Sequence, residues 1–282
     1  MSSIAESLKE AEAILADSDV AEPRREAQSL VMLATGRDKT FLYACPDHRL
    51  TSDEIASLDS FIQRRANREP LQYISGVQEF YGLEFEVTRD VLIPRPETEM
   101  VVEQALEILR ASATCSVCDV GTGSGCIVVS ILHELARSDG TALDASTSAL
   151  RVARRNADKH GVADRLELLE SDVFTSLDNK KFDLIVSNPP YVPAEDIAGL
   201  QAEVRDFEPH LALTDKADGL SIIRRIVDEA PNFLSTRGHL LLEIGFNQSG
   251  KVAEMFDNAR WHPPELFPDL QGIPRLVSAR LR

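Results

Sequence analysis

Asn188-Pro189-Pro190-Tyr191 is the stretch of this chain best suited to chemistry. It follows the apolar run Phe182-Asp183-Leu184-Ile185-Val186-Ser187, which reads as a buried strand, and it stops that run abruptly. Two consecutive prolines remove two backbone donors and hold two φ angles at about −65°. The strand's carboxyl end is left with a rigid cluster of acceptors, the Asn188 amide oxygen and backbone carbonyls, beside the flat ring of Tyr191. Such a cluster suits the grip of a planar –NH2 group and the presentation of its nitrogen to an electrophile. The plainer alternative is a proline-stopped strand with a surface tyrosine, and the tetrapeptide alone leaves both open.

A second constellation lies upstream. Asp119-Val120-Gly121-Thr122-Gly123-Ser124-Gly125 follows one predicted strand and opens a predicted helix. Glycines at such a turn let a ligand approach the main chain closely. The spacing is G-x-G-x-G, unlike the G-x-G-x-x-G of dinucleotide folds, and no hydride-transfer constellation accompanies it. Asp144 ends the next predicted strand, where a carboxylate can accept both hydroxyls of a ribose. Asp172 follows the third, where an acceptor can meet the amino group of an adenine. Glycine loop, ribose acid, adenine acid and Asn-Pro-Pro-Tyr, in strand order, is similar to the arrangement in S-adenosylmethionine-dependent methyltransferases.

The elements that must position these residues follow from hydrophobic periodicity. Residues 1–69 show only helical patterns: Ile4, Leu8, Ala11 and Leu15 form one stripe, and Ala27, Leu30, Val31 and Ala34 another. A short helix carries Phe41-Leu42-Tyr43, and a fourth opens at the capping pattern Thr51-x-x-Glu54. Residues 70–90 switch to aromatic and β-branched types split at Gly82, which predicts a β-hairpin linker. Residues 91–282 form the larger domain. There, strands are expected at 115–120, 140–144, 165–169, 182–187 and 238–244, alternating with helices near 125–137, 147–160, 218–230 and 248–258. Two further strands are expected at 264–267 and 275–281. Alternation of this kind predicts an α/β fold, a doubly wound and mainly parallel sheet.

Composition narrows the function classes. The chain has 282 residues with 46 acidic and 30 basic, a net charge of −16, which opposes stable binding to long nucleic acid. The basic clusters Arg64-Arg65 with Arg68, Arg151 with Arg154-Arg155, and Arg224-Arg225 read as solvated helix faces. No run approaches the roughly 18 apolar residues of a membrane span, and the opening segment lacks a basic start and apolar core, so a cytoplasmic protein is expected. Cys115-x-x-Cys118 lies on a predicted strand, where residues three apart face opposite ways, so the thiols read as core groups rather than a zinc half-site.

With these residues in hand, the chain closely resembles the peptide chain release factor N(5)-glutamine methyltransferases, over nearly its full length. The resemblance is carried by Asn188-Pro189-Pro190-Tyr191, by Pro70-Leu71-Gln72-Tyr73-Ile74-x-Gly76 with Phe80-Tyr81-Gly82-Leu83, and by Leu92-Ile93-Pro94-Arg95-Pro96-Glu97-Thr98-Glu99. Phe207-Glu208-Pro209-x-x-Ala212-Leu213, Asp218-Gly219-Leu220 and Asp269-Leu270-x-Gly272-x-x-Arg275 also fit. It implies a seven-stranded methyltransferase sheet behind an N-terminal helical substrate-docking domain. The cofactor is then S-adenosylmethionine, held by Gly121, Thr122, Gly123, Ser124, Gly125, Asp144, Asp172, Val173 and Asn188, with no metal. Val173 stands where some members carry a tryptophan against the adenine. The substrate is the glutamine of the Gly-Gly-Gln loop in class I release factors, met by Asn188, Pro189, Pro190 and Tyr191. Asn188 and the Pro189 carbonyl take its N–H groups, and Tyr191 packs on the amide plane. Arg95 and Glu97 are expected either on the pocket wall or in salt bridges locking the hairpin to the larger domain. A monomer without membrane contact is expected. The rival readings are an amino-methylating DNA or RNA enzyme, which shares the Asn-Pro-Pro-Tyr turn, and a non-catalytic release-factor-binding protein.

Overall fold

A computed structural model describes residues 2–110 and 112–282 and divides the chain into two compact units. The first comprises Met1–Gly76 with Gln201–Phe207; the second comprises Val77–Leu200 with Glu208–Arg282.

The first unit is helical: α1 (Ile4–Asp17), α2 (Pro23–Thr35), α3 (Lys39–Ala44), α4 (Ser52–Ala66) and α5 (Leu71–Ser75). Capping boxes start α1 and α4, with Ser3 and Thr51 each accepting from the backbone N–H three residues on and receiving the Glu6 or Glu54 carboxylate in return. Ile4, Ala11, Leu15, Ala27, Leu30, Val31, Leu58 and Ile62 form the core, while Leu8 and Ala34 only pack at its margin. The expected linker at 70–90 has two parts. Its first residues form α5, which stops at Gly76 (φ 79°) within the helical unit, and only Val77–Glu86 form a hairpin.

Arg65 departs from the expected solvated face, being only 4% exposed. Its guanidinium bonds Glu26 of α2 and, at 3.0 Å, Glu203 in the short helix Ala202–Phe207, which belongs to this unit. Arg68 reaches the other Glu203 oxygen at 2.7 Å. A buried cation here is tolerated because two carboxylates meet it.

The second unit opens with the antiparallel hairpin β1 (Val77–Phe80) and β2 (Leu83–Glu86). Its two-residue turn places Tyr81 (φ 52°) and Gly82 (φ 71°) in the left-handed region that such tight connections demand. After α6 (Glu99–Leu109) come β3 (Ser116–Val120), α7 (Cys126–Glu134), β4 (Asp139–Asp144), α8 (Thr147–Lys159), β5 (Leu166–Glu170) and β6 (Phe182–Ser187). Then follow α9 (Ala202–Phe207, the helix already placed in the first unit), α10 (His210–Leu213), α11 (Ser221–Glu229), β7 (Leu234–Glu243), α12 (Ser249–Ala253), β8 (Glu265–Pro268) and β9 (Pro274–Arg280). No helix among the described residues is long and apolar enough to cross a membrane.

The sheet order is β5-β4-β3-β6-β7-β9-β8, parallel through β7 and antiparallel at β9 and β8. Strand alternation splits its core in two. Val117, Leu184, Val186 and Leu241 join one cluster; Cys118, Ile185, Leu240 and Leu242 join the other. Cys115 and Cys118 fall into different clusters, as residues on opposite faces must. From β3 the chain builds outward through β4 and β5, then returns to place β6 on the other flank of β3. That reversal opens a crevice beyond the carboxyl ends of β3 and β6, the place where ligands bind in such sheets.

Candidate active site

A cleft of about 200 Å3 occupies this crevice. Its wall includes Gly121, Thr122, Gly123, Ser124, Asp144, Asp172, Val173, Asn188, Pro189 and Pro190. Two expected site residues, Gly125 and Tyr191, are not part of the wall.

The glycine loop and the Asn-Pro-Pro turn lie side by side because β3 and β6 are hydrogen-bonded neighbours, with Val120 opposite Ser187. The Ser187 hydroxyl donates to the Val120 carbonyl at 2.6 Å, tying the two strand ends together. Past Val120 the loop turns sharply: the Gly121 and Thr122 N–H groups both donate to the Leu143 carbonyl, at 2.8 and 2.9 Å. Gly121 (φ 73°) and Gly123 (φ 56°) are left-handed, and no heavy atom lies within 4 Å of where a Cβ would begin. Gly125 has a different task. A Cβ there would stand 3.3 Å from that of Ala153, so its bareness lets α7 pack closely on α8.

Asp144 accepts the Gly123 N–H at 2.9 Å and the Ser146 N–H at 2.8 Å, one on each oxygen. Burial raises its pKa while these two bonds lower it. Asp119, behind the loop, is wholly buried; burial pushes it up to about 7 against the opposing bond from the Thr122 hydroxyl at 2.7 Å. Asp172 is exposed, and one oxygen pairs with Arg225 at 2.8 Å. Val173 sits at φ 54°, a strained backbone for a β-branched residue. The Ser171 hydroxyl donates to the Val173 carbonyl at 2.9 Å and braces it.

Asn188 donates its side-chain –NH2 to the Thr98 hydroxyl at 3.1 Å. Thr98 donates in turn to the buried Glu243 carboxylate at 2.6 Å. Tyr191 is half-buried, its ring packed against the core beside β7, and its hydroxyl donates to the other Glu243 oxygen at 3.3 Å. Its carbonyl accepts from Gln248 at 2.9 Å. Gly219 must be glycine for this packing, since a Cβ would fall 2.2 Å from the Tyr191 carbonyl oxygen.

Arg95 lines the cleft and binds Glu208 at 2.6 Å, so its bridge runs to the segment before α10 rather than to the hairpin. The hairpin is held instead by α8. Asn156 exchanges hydrogen bonds with Glu86 at 2.7 and 3.0 Å and donates to the Ser124 carbonyl at 2.9 Å, while Arg155 pairs with the Glu86 carboxylate. Pro209, which precedes α10, and Leu211 and Ala212 within it also line the cleft.

Thr98, Glu243, Asn156 and Gln248 also brace the site, although none is a glycine-loop residue, a strand-end acid of the cofactor series or part of the Asn-Pro-Pro-Tyr turn. One signal for Glu243 was present: a lone acid ends the apolar run Leu240-Leu241-Leu242.

Two protein-family models match the chain, one described as PrmC N-terminal domain over residues 6–76 and one as Methyltransferase small domain over residues 101–203. A curated release factor glutamine methyltransferase from Geobacter sulfurreducens is 43% identical over 267 residues, 95% of this chain and 93% of the relative. Another of that name, from Cereibacter sphaeroides, is 43% identical over 277 residues, 98% of each chain. A solved methyltransferase from Pyrococcus furiosus shares the fold at TM-score 0.52 and 16% identity, covering 78% of this chain and 96% of that one.

Proposed function

Because this chain belongs to the release factor glutamine methyltransferases, we propose that its Asn188 turn receives the glutamine of the Gly-Gly-Gln motif in class I release factors. The protein is an S-adenosylmethionine-dependent protein-glutamine N-methyltransferase. The observation that best supports the substrate reading is the pairing of β3 with β6, which sets a bare glycine cradle beside a rigid acceptor turn in one cleft.

The cleft suits the cofactor. The open space beyond Gly121 and Gly123 admits a ligand against the main chain, and Asp144 retains lone pairs for ribose hydroxyls after taking two backbone donors. Asp172 serves the adenine amino group through the oxygen that Arg225 leaves, with Val173 against the ring. When bound, S-adenosylmethionine supplies a methyl group made electrophilic by a positively charged sulfur.

A glutamine amide nitrogen is a weak nucleophile because its lone pair is shared with the carbonyl. The Asn188 side-chain oxygen and the Pro189 carbonyl each accept one N–H, which localises that lone pair, aims it and stabilises the positive charge that develops. The amide nitrogen would bond the methyl carbon as that carbon's bond to sulfur breaks and its electron pair stays on sulfur, and the nitrogen, acidic once methylated, would release a proton. Tyr191 acts on the turn from its buried side, fixing where the Pro-Pro segment lies.

The helical domain, residues 1–69, holds a separate part of the factor. We further infer a monomer as the working unit, since the lining of the cleft comes from one chain, and a cytoplasmic setting, since a translation factor is the proposed substrate.

The test is incubation with methyl-labelled S-adenosylmethionine and either a wild-type release factor, a factor with Gly-Gly-Gln changed to Gly-Gly-Ala, or duplex DNA. Label on the wild-type factor alone is expected. Label on DNA alone transfers the same turn to a base amino group and overturns the glutamine assignment.

A further inference from the structure

Asn188 ends in two nearly isosteric atoms with opposite hydrogen-bonding character. An amide rotated by 180° would turn –NH2 toward a substrate –NH2, donor against donor, and could not act. Something must hold the productive orientation.

We propose that Thr98 and Glu243 are positioning residues that set the orientation of the Asn188 amide, an inference that rests on reading Asn188 as the acceptor for substrate. The argument is one of hydrogen counting. Thr98 has a single hydroxyl hydrogen, and an ionised Glu243 at 2.6 Å can only accept, so it claims that hydrogen. The Thr98 oxygen can then only accept from Asn188, so the group facing it at 3.1 Å must be –NH2. The amide oxygen is thereby turned away from Thr98 and kept for the substrate. A charge two hydrogen bonds away thus writes the polarity of the catalytic amide.

A protonated Glu243 can itself donate to Thr98. The Thr98 hydrogen is then free to meet the Asn188 oxygen, and the rotated amide becomes equally good. Burial pushes Glu243 up to about 7; Thr98 and Tyr191 bond its charged form, Arg275 favours that form, and Glu97 opposes it. Cys126 on α7 also faces this charge, but burial pushes its thiol up to about 12, so it stays neutral.

The test uses the full chain and a release factor, with kcat followed from pH 6 to 9 at saturating cofactor, beside cofactor Kd and melting temperature. Thr98→Val is expected to lower kcat by about 10–100-fold with cofactor Kd held, and Thr98→Ser to recover most of the loss. In the wild type, kcat should fall as pH drops through about 7. Glu243→Gln should be slower and lack that acid limb. Asp119 titrates nearby, but its effect belongs to the glycine loop and appears in cofactor Kd instead. Wild-type kcat in Thr98→Val, or an unchanged acid limb in Glu243→Gln, overturns the inference while leaving the glutamine reading intact. Loss of cofactor binding together with a lowered melting temperature in all three variants would also overturn it, since the residues would then be structural only. No methylation of the factor by the wild type would instead be a failure of the proposed function.

Discussion

Asn188 and its neighbours concentrate the chemistry in a few atoms, and single substitutions should separate their roles. Asn188→Ala removes the side-chain acceptor but leaves the glycine cradle and Asp144 in place. Turnover should fall by about 10²–10³-fold, the scale of losing one preorganised electrostatic partner, while cofactor affinity measured by calorimetry is retained. Equal turnover would remove Asn188 from the mechanism. Gly219→Ala probes the turn from behind. The added carbon would stand 2.2 Å from the Tyr191 carbonyl oxygen at a left-handed φ of 75°. It should destabilise the fold by about 1–3 kcal/mol in denaturant titration and, by displacing Tyr191, lower turnover as well. A neutral Gly219→Ala would mean the turn yields freely and is not the rigid clamp that the reaction requires.

Elements place these residues, and the helical unit shows how one buried ion pair can fasten an element remote in sequence. Glu26→Gln weakens the pairing of Arg65 with α2 and leaves the cation relying on Glu203. The expected cost is about 1.5–3 kcal/mol, the range for a hydrogen bond to a charged group, read as a lowered unfolding midpoint. Strands and helices were legible in the sequence because each carries a strong local signal: largely apolar runs for β3 and β6, capping boxes for α1 and α4. Gly121, Gly123 and Asp144 were legible for the same reason, since strand ends announce themselves. Arg65 and Glu243 were not. An arginine on a polar-looking helix and an acid after three leucines acquire meaning only from partners far away, Glu203 for the first and Thr98 for the second. Tyr191 was legible only in part: its place beside the prolines suggests a platform for substrate, while the packing of its half-buried ring against the core and the bond of its hydroxyl to Glu243 depend on partners far along the chain.

At the scale of the whole molecule, buried acids set opposing demands on pH. Burial raises Asp119 from 3.8 and Glu243 from 4.5, each to about 7. Between those limits the folded chain holds more protons than the unfolded one, so stability falls as pH rises toward 7. Glu203 and Asp215 are shifted downward, Glu203 by its arginine partners and Asp215 by bonds to Ser221 and nearby backbone. Their contribution is present above their unfolded values and is lost as pH falls through the folded ones. Melting temperature should therefore peak in mildly acidic buffer, below the pH at which turnover is greatest, and a scan from pH 4 to 9 checks it. A peak at alkaline pH would show that the raised acids do not govern stability. The placement of Ala202–Phe207 in the helical unit bears on inheritance as well as on folding. Residues 1–76 look like a cassette that could be cut out and fused to another enzyme, yet they would travel without Glu203, one of the two carboxylates that neutralise Arg65. A graft that respects the wiring must also carry Gln201–Phe207 from the donor into the recipient, so swapping this domain between lineages calls for two coordinated exchanges rather than one.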